Sequence, residues 1–235
     1  IDEAVKEAEK HKDADDKDEL EAAAKKGGAG LYFEASVGGA IPIIRTVNTS
    51  LQANTIQSIE AIINGTTNFI TDYRHSSISV GLARDGQMQA GVVYNPYLGE
   101  VFAAERGRGA FLNGARISCG SRGLAQGTVG FGTSPYHPDL ADSSFALLRK
   151  VSEVCLDIRR SGSAALDICY AAAGRTALFF EMVLEPWDYA AASIIISEAG
   201  GACTQIDGSP ITLDKGCSIL AGNPTARADF AAMEK

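Results

Sequence analysis

An apolar run followed by a glycine and two threonines is the first segment whose residue types could do chemistry. Ile59, Ala61 and Ile63 alternate with their neighbours, which predicts a mostly buried strand ending at Asn64. Gly65, Thr66 and Thr67 then open a short helix. Free backbone N–H groups and the helix dipole favour an anion there, so these three residues are candidates for binding phosphate. A threonine-capped helix without a ligand would have the same pattern.

A second candidate is the acid in EPWDYAAASIIISEAGG. Asp188 falls in the first turn of a predicted apolar helix that ends at Gly200-Gly201. Acids in that position routinely cap a helix or pair with its dipole. Pro186 and Trp187 give the helix a rigid, bulky entry, and its alanines allow close packing, which favours an acid held at a buried junction.

A third candidate combines a glycine turn with a later acid. Gly162 and Ser163 open the helix of RRSGSAALD with free N–H groups. Glu181 ends the hydrophobic strand that follows. Taken locally, this acid is most simply a surface residue at a strand end.

Composition limits the class of protein. The chain has 235 residues, 46% of them hydrophobic, enough for one large or two small globular domains. A formal net charge of −8 argues against nucleic acid or an anionic membrane as the main partner. The five cysteines form no C-x-x-C pair, so zinc-type spacing is absent and reduced cytosolic thiols are expected. No apolar run is long enough to span a bilayer, and the charged N-terminus does not resemble a signal peptide. A cytoplasmic location is expected.

The order of the elements predicts a layered fold. Asp85-Gly86 and Asn113-Gly114 each lie between strand-like runs, and both dipeptides favour tight hairpin turns. From His137 onward, helix and strand patterns alternate. Hairpins followed by α/β units predict packed layers of sheets and helices, an α/β sandwich of α+β type.

From Asn64 to about Phe230 the chain resembles the inositol monophosphatase family. The resemblance rests on GTTNF, RRSGSAALDICYAAAGR and EPWDYAAASIIISEAGG, in that order. It implies a layered α/β sandwich that is usually a homodimer. It also implies Mg²⁺ ions that clamp a phosphate ester of a small inositol or sugar and activate a water.

The resemblance also implies residue roles, position by position. Thr66 would orient the attacking water and Asp188 would bind metal, which makes both catalytic. Asn64 and the carbonyl of Ile63 occupy the other metal positions. Phosphate would be held by the residues of the first turn: Gly65, Thr66 and Thr67. The hydroxyls of the alcohol portion would meet Gly162, Ser163, Ala164 and Glu181.

Two departures from the family pattern put the metal in doubt. Where the family has Asp-Pro-Ile-Asp, the chain has Ala61-Ile62-Ile63-Asn64. The upstream Gly-Glu-Glu of the family has no counterpart that sequence alone places in residues 27–60. Because Mg²⁺ is held mainly by carboxylates and phosphate oxygens, weak or absent Mg²⁺ binding and strongly reduced activity are expected.

The residues before Asn64 resemble a different family. Residues 31–70 resemble homoserine dehydrogenase where its substrate domain begins, but its G-x-G-x-x-G nucleotide turn is absent. The chain therefore has the pattern of a chimera, with residues 1–63 from one family and 64–235 from the other. The strand at 56–63 is expected to be central in a sheet, and the highest disorder is expected in residues 1–30.

Three functions are compatible with these observations. The first is a Mg²⁺-dependent phosphomonoesterase for a small phosphorylated polyol, impaired by loss of its acids. The second is an inactive protein of the same fold that binds a phosphate or a partner. The third is a fragment of homoserine dehydrogenase.

Overall fold

The computed structural model describes the backbone of residues 30–34 and 58–64 and the whole of residues 74–233. The strands are β1 (Gly30–Glu34), β2 (Ser58–Asn64), β3 (Ser77–Arg84), β4 (Gln87–Asn95), β5 (Glu100–Glu105), β6 (Gly109–Leu112), β7 (Ala115–Arg116), β8 (Thr128–Phe131), β9 (Asp157–Arg159), β10 (Leu178–Leu184), β11 (Ala202–Thr204) and β12 (Cys217–Gly222). The α-helices are α1 (Ala141–Ser152), α2 (Ala164–Ala172), α3 (Pro186–Glu198) and α4 (Pro224–Met233). Short 3₁₀ turns occupy Leu124–Gln126 and Pro138–Leu140.

The first sheet has seven strands in sequence order, β1 to β7. β1 runs parallel to β2, and every later neighbour is antiparallel. β2 is paired on both sides, by β1 and β3, but it is second from the edge of the sheet rather than central as expected. The predicted domain boundary after residue 63 falls inside this inner strand, and the division into two domains stays a prediction.

Both predicted hairpin turns are present. Asp85 and Gly86 have φ values of 52° and 71°, and they join β3 to β4. Asn113 and Gly114 have φ values of 49° and 81°, and they join β6 to β7. Two successive positive φ values match the twist of the flanking strands, which explains the use of Asp-Gly and Asn-Gly.

The second sheet has the order β11-β12-β10-β8-β9. Helices α2 and α3 pack against each other and against strands of both sheets, so they form the layer between them. On the other face of the second sheet, α4 packs against β12, and buried residues of α1 join the same apolar cluster. The predicted layered α/β sandwich is therefore confirmed.

A close approach between β4 and α3 fixes the height of this helix above the first sheet. A Cβ added to Gly91 would overlap the carbonyl oxygen of Ala191 and lie 2.8 Å from Cγ2 of Ile194. Only glycine allows the helix to lie so near the strand. The start of α3, where Asp188 lies, is thereby held over the sheet.

Some predictions fall outside the described residues. They concern the N-terminal segment before Gly30 and residues 65–73, which include Gly65, Thr66, Thr67 and the short helix after them. Within the described residues, no helix is both long enough and apolar enough to cross a membrane.

Candidate active site

The candidate site begins where β2 ends and β3 starts. Asn64 is the register partner of Ser77, and Ile63 is the partner of Ile78. The hydroxyl oxygens of Ser77 and Ser163 lie 3.0 Å apart in a buried hydrogen bond. This contact joins the end of the first sheet to the N-cap of α2. The position of Asn64 and the helix that Ser163 opens are therefore neighbours.

The second glycine turn, residues 161–163, is closed by hydrogen bonds of its own. Gly162 has a φ of 93°, a conformation that favours glycine. The N–H of Ser163 donates to Oγ of Ser161 at 3.2 Å, so the expectation that this N–H is free was wrong. Ser163 and Ala164 are both buried, with 2% and 8% of their surface exposed.

Sequence analysis missed Asp167, which closes this turn. Its Oδ2 accepts a hydrogen bond of 2.7 Å from the Ser161 hydroxyl, and the residue is 5% exposed. Burial raises the pKa of Asp167 to about 7, against the opposing hydrogen bond from Ser161, and the negative charge of Glu181 adds to the rise. The signal in the sequence was an acid inside an otherwise apolar helix, in AALDICYAA.

Glu181 is not the surface residue that its local sequence suggests. It lies within β10 rather than at its end, and only 6% of its surface is exposed. Oε1 accepts a hydrogen bond of 2.7 Å from the Ser134 N–H. A Cβ added to Gly132 would overlap the Glu181 carboxylate, so the glycine leaves the room that this side chain occupies.

Ser134 holds the Glu181 carboxylate in place. Its hydroxyl lies 3.2 Å from the Val183 carbonyl and accepts from the Val183 N–H at 3.0 Å. Ser134 has a φ of 44°, which is uncommon for a residue with a side chain, and these contacts stabilise it. Burial raises the pKa of Glu181 to about 7, although the Ser134 N–H opposes the rise; the charge of Asp188 adds to it.

Asp188 caps helix α3 and is half-buried. Its Oδ2 accepts from the Glu185 N–H at 3.1 Å, while the Glu185 side chain caps the N–H of Asp188 in return. The ordinary capping role is therefore present, and Asp188 lies between the buried residues Pro186 and Tyr189. Its charge adds to the rise in the pKa of Glu181, so the two carboxylates lie close enough to interact.

The described side chains do not fit a Mg²⁺ site. Among them, no three His, Cys, Asp or Glu side chains are grouped closely enough to hold a metal ion. Of the predicted ligands, Asp188 supplies the one carboxylate, Asn64 an uncharged amide and Ile63 a carbonyl. Mg²⁺ requires more oxygen ligands, with carboxylates preferred, than this set provides.

The backbone adds one acid that the sequence reading could not place. β1 ends at Glu34, the register partner of Ile62 in the parallel strand β2. The carboxyl ends of parallel strands lie at the same edge of a sheet, so Glu34 shares that edge with Asn64. The apolar run LYF followed by an acid was the available signal.

Comparison with known proteins identifies the family. The model of the inositol monophosphatase family matches residues 63–234. Nus factor SuhB of Salmonella typhimurium is 37% identical over 185 residues, which cover 77% of this chain and 69% of that protein. Inositol-1-monophosphatase of Rhizobium meliloti is 43% identical over 162 residues, which cover 68% of this chain and 60% of that protein.

A solved structure agrees with the fold over most of the chain. The extragenic suppressor protein SuhB of Bartonella henselae aligns with a TM-score of 0.76 at 33% identity, covering 93% of this chain and 79% of that one. The resemblance of residues 31–70 to homoserine dehydrogenase has no support among these matches and stays a prediction. The layered fold, the family match over residues 63–234 and the agreement with known structures lead to one conclusion: the chain belongs to the inositol monophosphatase family.

Proposed function

We propose that the chain is a Mg²⁺-dependent phosphomonoesterase of inositol monophosphatase type, acting on a small inositol or sugar phosphate with activity far below that of the family. Family membership supports a phosphatase-type function. The observation that carries the finer proposal is the buried Glu181 carboxylate, which Ser134 positions and whose charge acts on Asp167 in the helix that Ser163 opens. A buried acid with a raised pKa is a candidate for binding a polar ligand, because its desolvation is costly.

In this proposal the alcohol portion of the ester binds at the second glycine turn. Glu181 exchanges a hydrogen bond with a substrate hydroxyl, since the bond from the Ser134 N–H goes to Oε1 and a carboxylate has a second oxygen that can accept. Gly162, Ser163 and Ala164 line the same subsite, and Asp167 keeps their turn closed through Ser161. These groups bind and orient the polyol, and they move no proton to the ester.

The phosphate end is assigned to the first turn. Gly65, Thr66 and Thr67 are proposed to hold the phosphate, and Thr66 to orient the attacking water with Asp188. These roles come from the family resemblance. Ala61 and Asn64 replace acids at the metal positions, so charge neutralisation of the phosphate is incomplete and hydrolysis is slow.

A non-catalytic protein of the same fold is the second candidate. It is supported by the same replacements and by the name Nus factor, which relatives at 37% identity carry instead of a phosphatase name. In this alternative the site binds a phosphate or a partner without turnover. A fragment of homoserine dehydrogenase is a third, weaker candidate, which detectable binding of a nicotinamide cofactor would favour.

The proposed setting is a homodimer in the cytoplasm, with a small phosphorylated polyol as ligand and neither nucleic acid nor membrane as partner. The acidic net charge of −8 supports the last two points. Size-exclusion chromatography with light scattering tests the dimer. A mass of one chain, about 25 kDa, would contradict it.

The function is tested by phosphate release from myo-inositol 1-phosphate in excess Mg²⁺. The control is Asp188→Asn, whose amide oxygen can still accept from the Glu185 N–H and so preserve the helix cap. Slow release that falls further in the control supports a residual enzyme. Binding of the ester by calorimetry, with release equal in both proteins, favours the non-catalytic candidate. Absence of both binding and release overturns the proposal.

A further inference from the structure

A cavity of about 230 Å³ lies between the first sheet and the start of helix α3. One face of β3, at Ser79, Gly81 and Ala83, forms its floor. The first turn of α3, with Pro186 and Trp187, forms its roof. Among the described residues assigned above to the metal or the alcohol, none lines this cavity, so it is separate from the proposed phosphatase site.

The cavity is elongated because it follows a strand. Gly81 marks the face that β3 turns toward α3, since a Cβ added there would lie 3.4 Å from the Ala191 nitrogen. Glycine at 81 and the single methyl of Ala83 keep this floor low. At about 3.3 Å per residue, the floor from Ser79 to Ala83 is about 13 Å long. The hairpin turn at residues 85–86 lies at its outer end. This shape suits an unbranched chain.

The polar groups of the cavity lie at its two ends. At the inner end, Ser79 is 5% exposed, and its hydroxyl has no hydrogen-bond partner among the described residues. A buried hydroxyl without a partner is costly, so a ligand that bonds to it is favoured. At the outer end, Asp85 is exposed, and no described Lys or Arg forms an ion pair with it. Between the ends the walls include the apolar side chains of Met88 and Leu213.

We propose that this cavity binds a linear alkylamine that has an uncharged hydrogen-bonding group at its far end. The ammonium group pairs with the Asp85 carboxylate, and the indole of Trp187, which lines the same cavity, also attracts a cation. The alkyl stem lies along the apolar floor, and the far group bonds to the Ser79 hydroxyl. The charge of Asp85 disfavours a carboxylate ligand of the same length. This inference does not depend on the proposed phosphatase function.

The test is a fluorescence titration with 6-amino-1-hexanol at pH 7. Trp187 is the single tryptophan of the chain, so its emission reports on this cavity. A saturable blue shift is expected, with a dissociation constant below about 1 mM. The matched ligand 6-hydroxyhexanoate has a carboxylate in place of the ammonium group, and it is expected to bind about 5- to 10-fold more weakly.

Two variants assign the two ends of the ligand. Asp85→Asn keeps a dipeptide, Asn-Gly, that favours the same turn. It should weaken binding of the amino alcohol about 3-fold and bring the two ligands within about 2-fold of each other. Ser79→Ala should weaken binding of 6-amino-1-hexanol about 5-fold and leave that of hexylamine, which lacks the hydroxyl, within about 2-fold. The control Asp142→Asn removes an exposed acid on α1 and should leave all affinities unchanged.

Four results would overturn the inference. The first is the absence of a saturable shift, and the second is equal affinity of the unchanged chain for the amine and the carboxylate. The third is an equal loss in Asp85→Asn and Asp142→Asn, which would indicate general attraction of cations to an acidic protein. The fourth is unchanged binding of the amino alcohol by Ser79→Ala. Thermal unfolding of each variant checks that the fold is intact. Phosphate release is measured separately, so failure here and failure of the proposed function are distinguishable.

Discussion

Replacing Asp167 by asparagine should change how stability depends on pH. Asp167 is 5% exposed, and its pKa rises from 3.8 to about 7, chiefly through burial. Between these values the folded state retains a proton that the unfolded state has lost. Stability from this group is therefore fully present below pH 3.8 and is lost as pH rises through about 7.

The size of the effect follows from the two pKa values. At about 1.4 kcal/mol per pH unit, the shift in the pKa of Asp167 changes the free energy of unfolding by about 4 kcal/mol in all. About 3 kcal/mol of this change falls between pH 5 and pH 8. Asparagine can still accept the Ser161 hydroxyl but carries no charge at any pH. Asp167→Asn should match the unchanged protein to within about 1 kcal/mol at pH 5 and be about 2–3 kcal/mol more stable at pH 8.

Urea unfolding at pH 5 and pH 8, followed by circular dichroism, measures this difference. The control is Glu153→Gln, which removes an exposed carboxylate at the end of helix α1. This change should leave the pH dependence of the unfolding free energy as it is in the unchanged protein. Equal loss of stability between pH 5 and pH 8 in Asp167→Asn and in the unchanged protein would refute the reasoning. It would mean that Asp167 ionises in the folded state without cost.

Two further predictions concern stability. Gly91→Ala should destabilise the fold by about 2–4 kcal/mol, measured by urea unfolding, because its Cβ would overlap the Ala191 carbonyl and push α3 off the sheet; a loss below 0.5 kcal/mol would contradict this close approach. Asp188→Ala should cost about 1 kcal/mol through loss of the capping box, whereas Asp188→Asn should cost less than half of that. Equal stability of these two variants would indicate that the cap contributes nothing.

Local patterns predicted the parts of the fold that depend on neighbouring residues. Hairpin turns form at Asp85-Gly86 and Asn113-Gly114 because this turn geometry requires a positive φ at both positions. Asp, Asn and Gly tolerate a positive φ, so the dipeptide alone predicts the turn. The helix starting at Pro186 was likewise predictable, since proline, an acid in the first turn and a terminal glycine pair are local signals.

Long-range contacts explain what the sequence could not predict. Glu181 is buried because Ser134, 47 residues earlier, supplies its hydrogen bond and Gly132 leaves it space. No pattern around Glu181 reports on that loop, so a surface position was the natural interpretation. Glu34 shares an edge with Asn64 only through the parallel pairing of β1 with β2, which is set by tertiary structure.

The ordinary and the functional interpretations of Asp188 are both needed. The structure shows it capping α3, while its charge acts on the buried Glu181. Sequence alone treated these as alternatives. A first-turn acid can fill both roles because one carboxylate oxygen accepts the capping bond while the charge of the group acts on a neighbouring acid.

The central claim is that the missing acids of β2, and not the alcohol subsite, limit activity. The most direct test restores the two acids in the double variant Ala61→Asp/Asn64→Asp. It measures phosphate release from myo-inositol 1-phosphate in excess Mg²⁺. The account predicts at least about a 10²-fold increase over the unchanged chain, with little gain from either single variant, because metal ligands act as a unit. Adding Asp188→Asn to the double variant should abolish the gain. Release by the unchanged chain as fast as by the double variant would contradict the account.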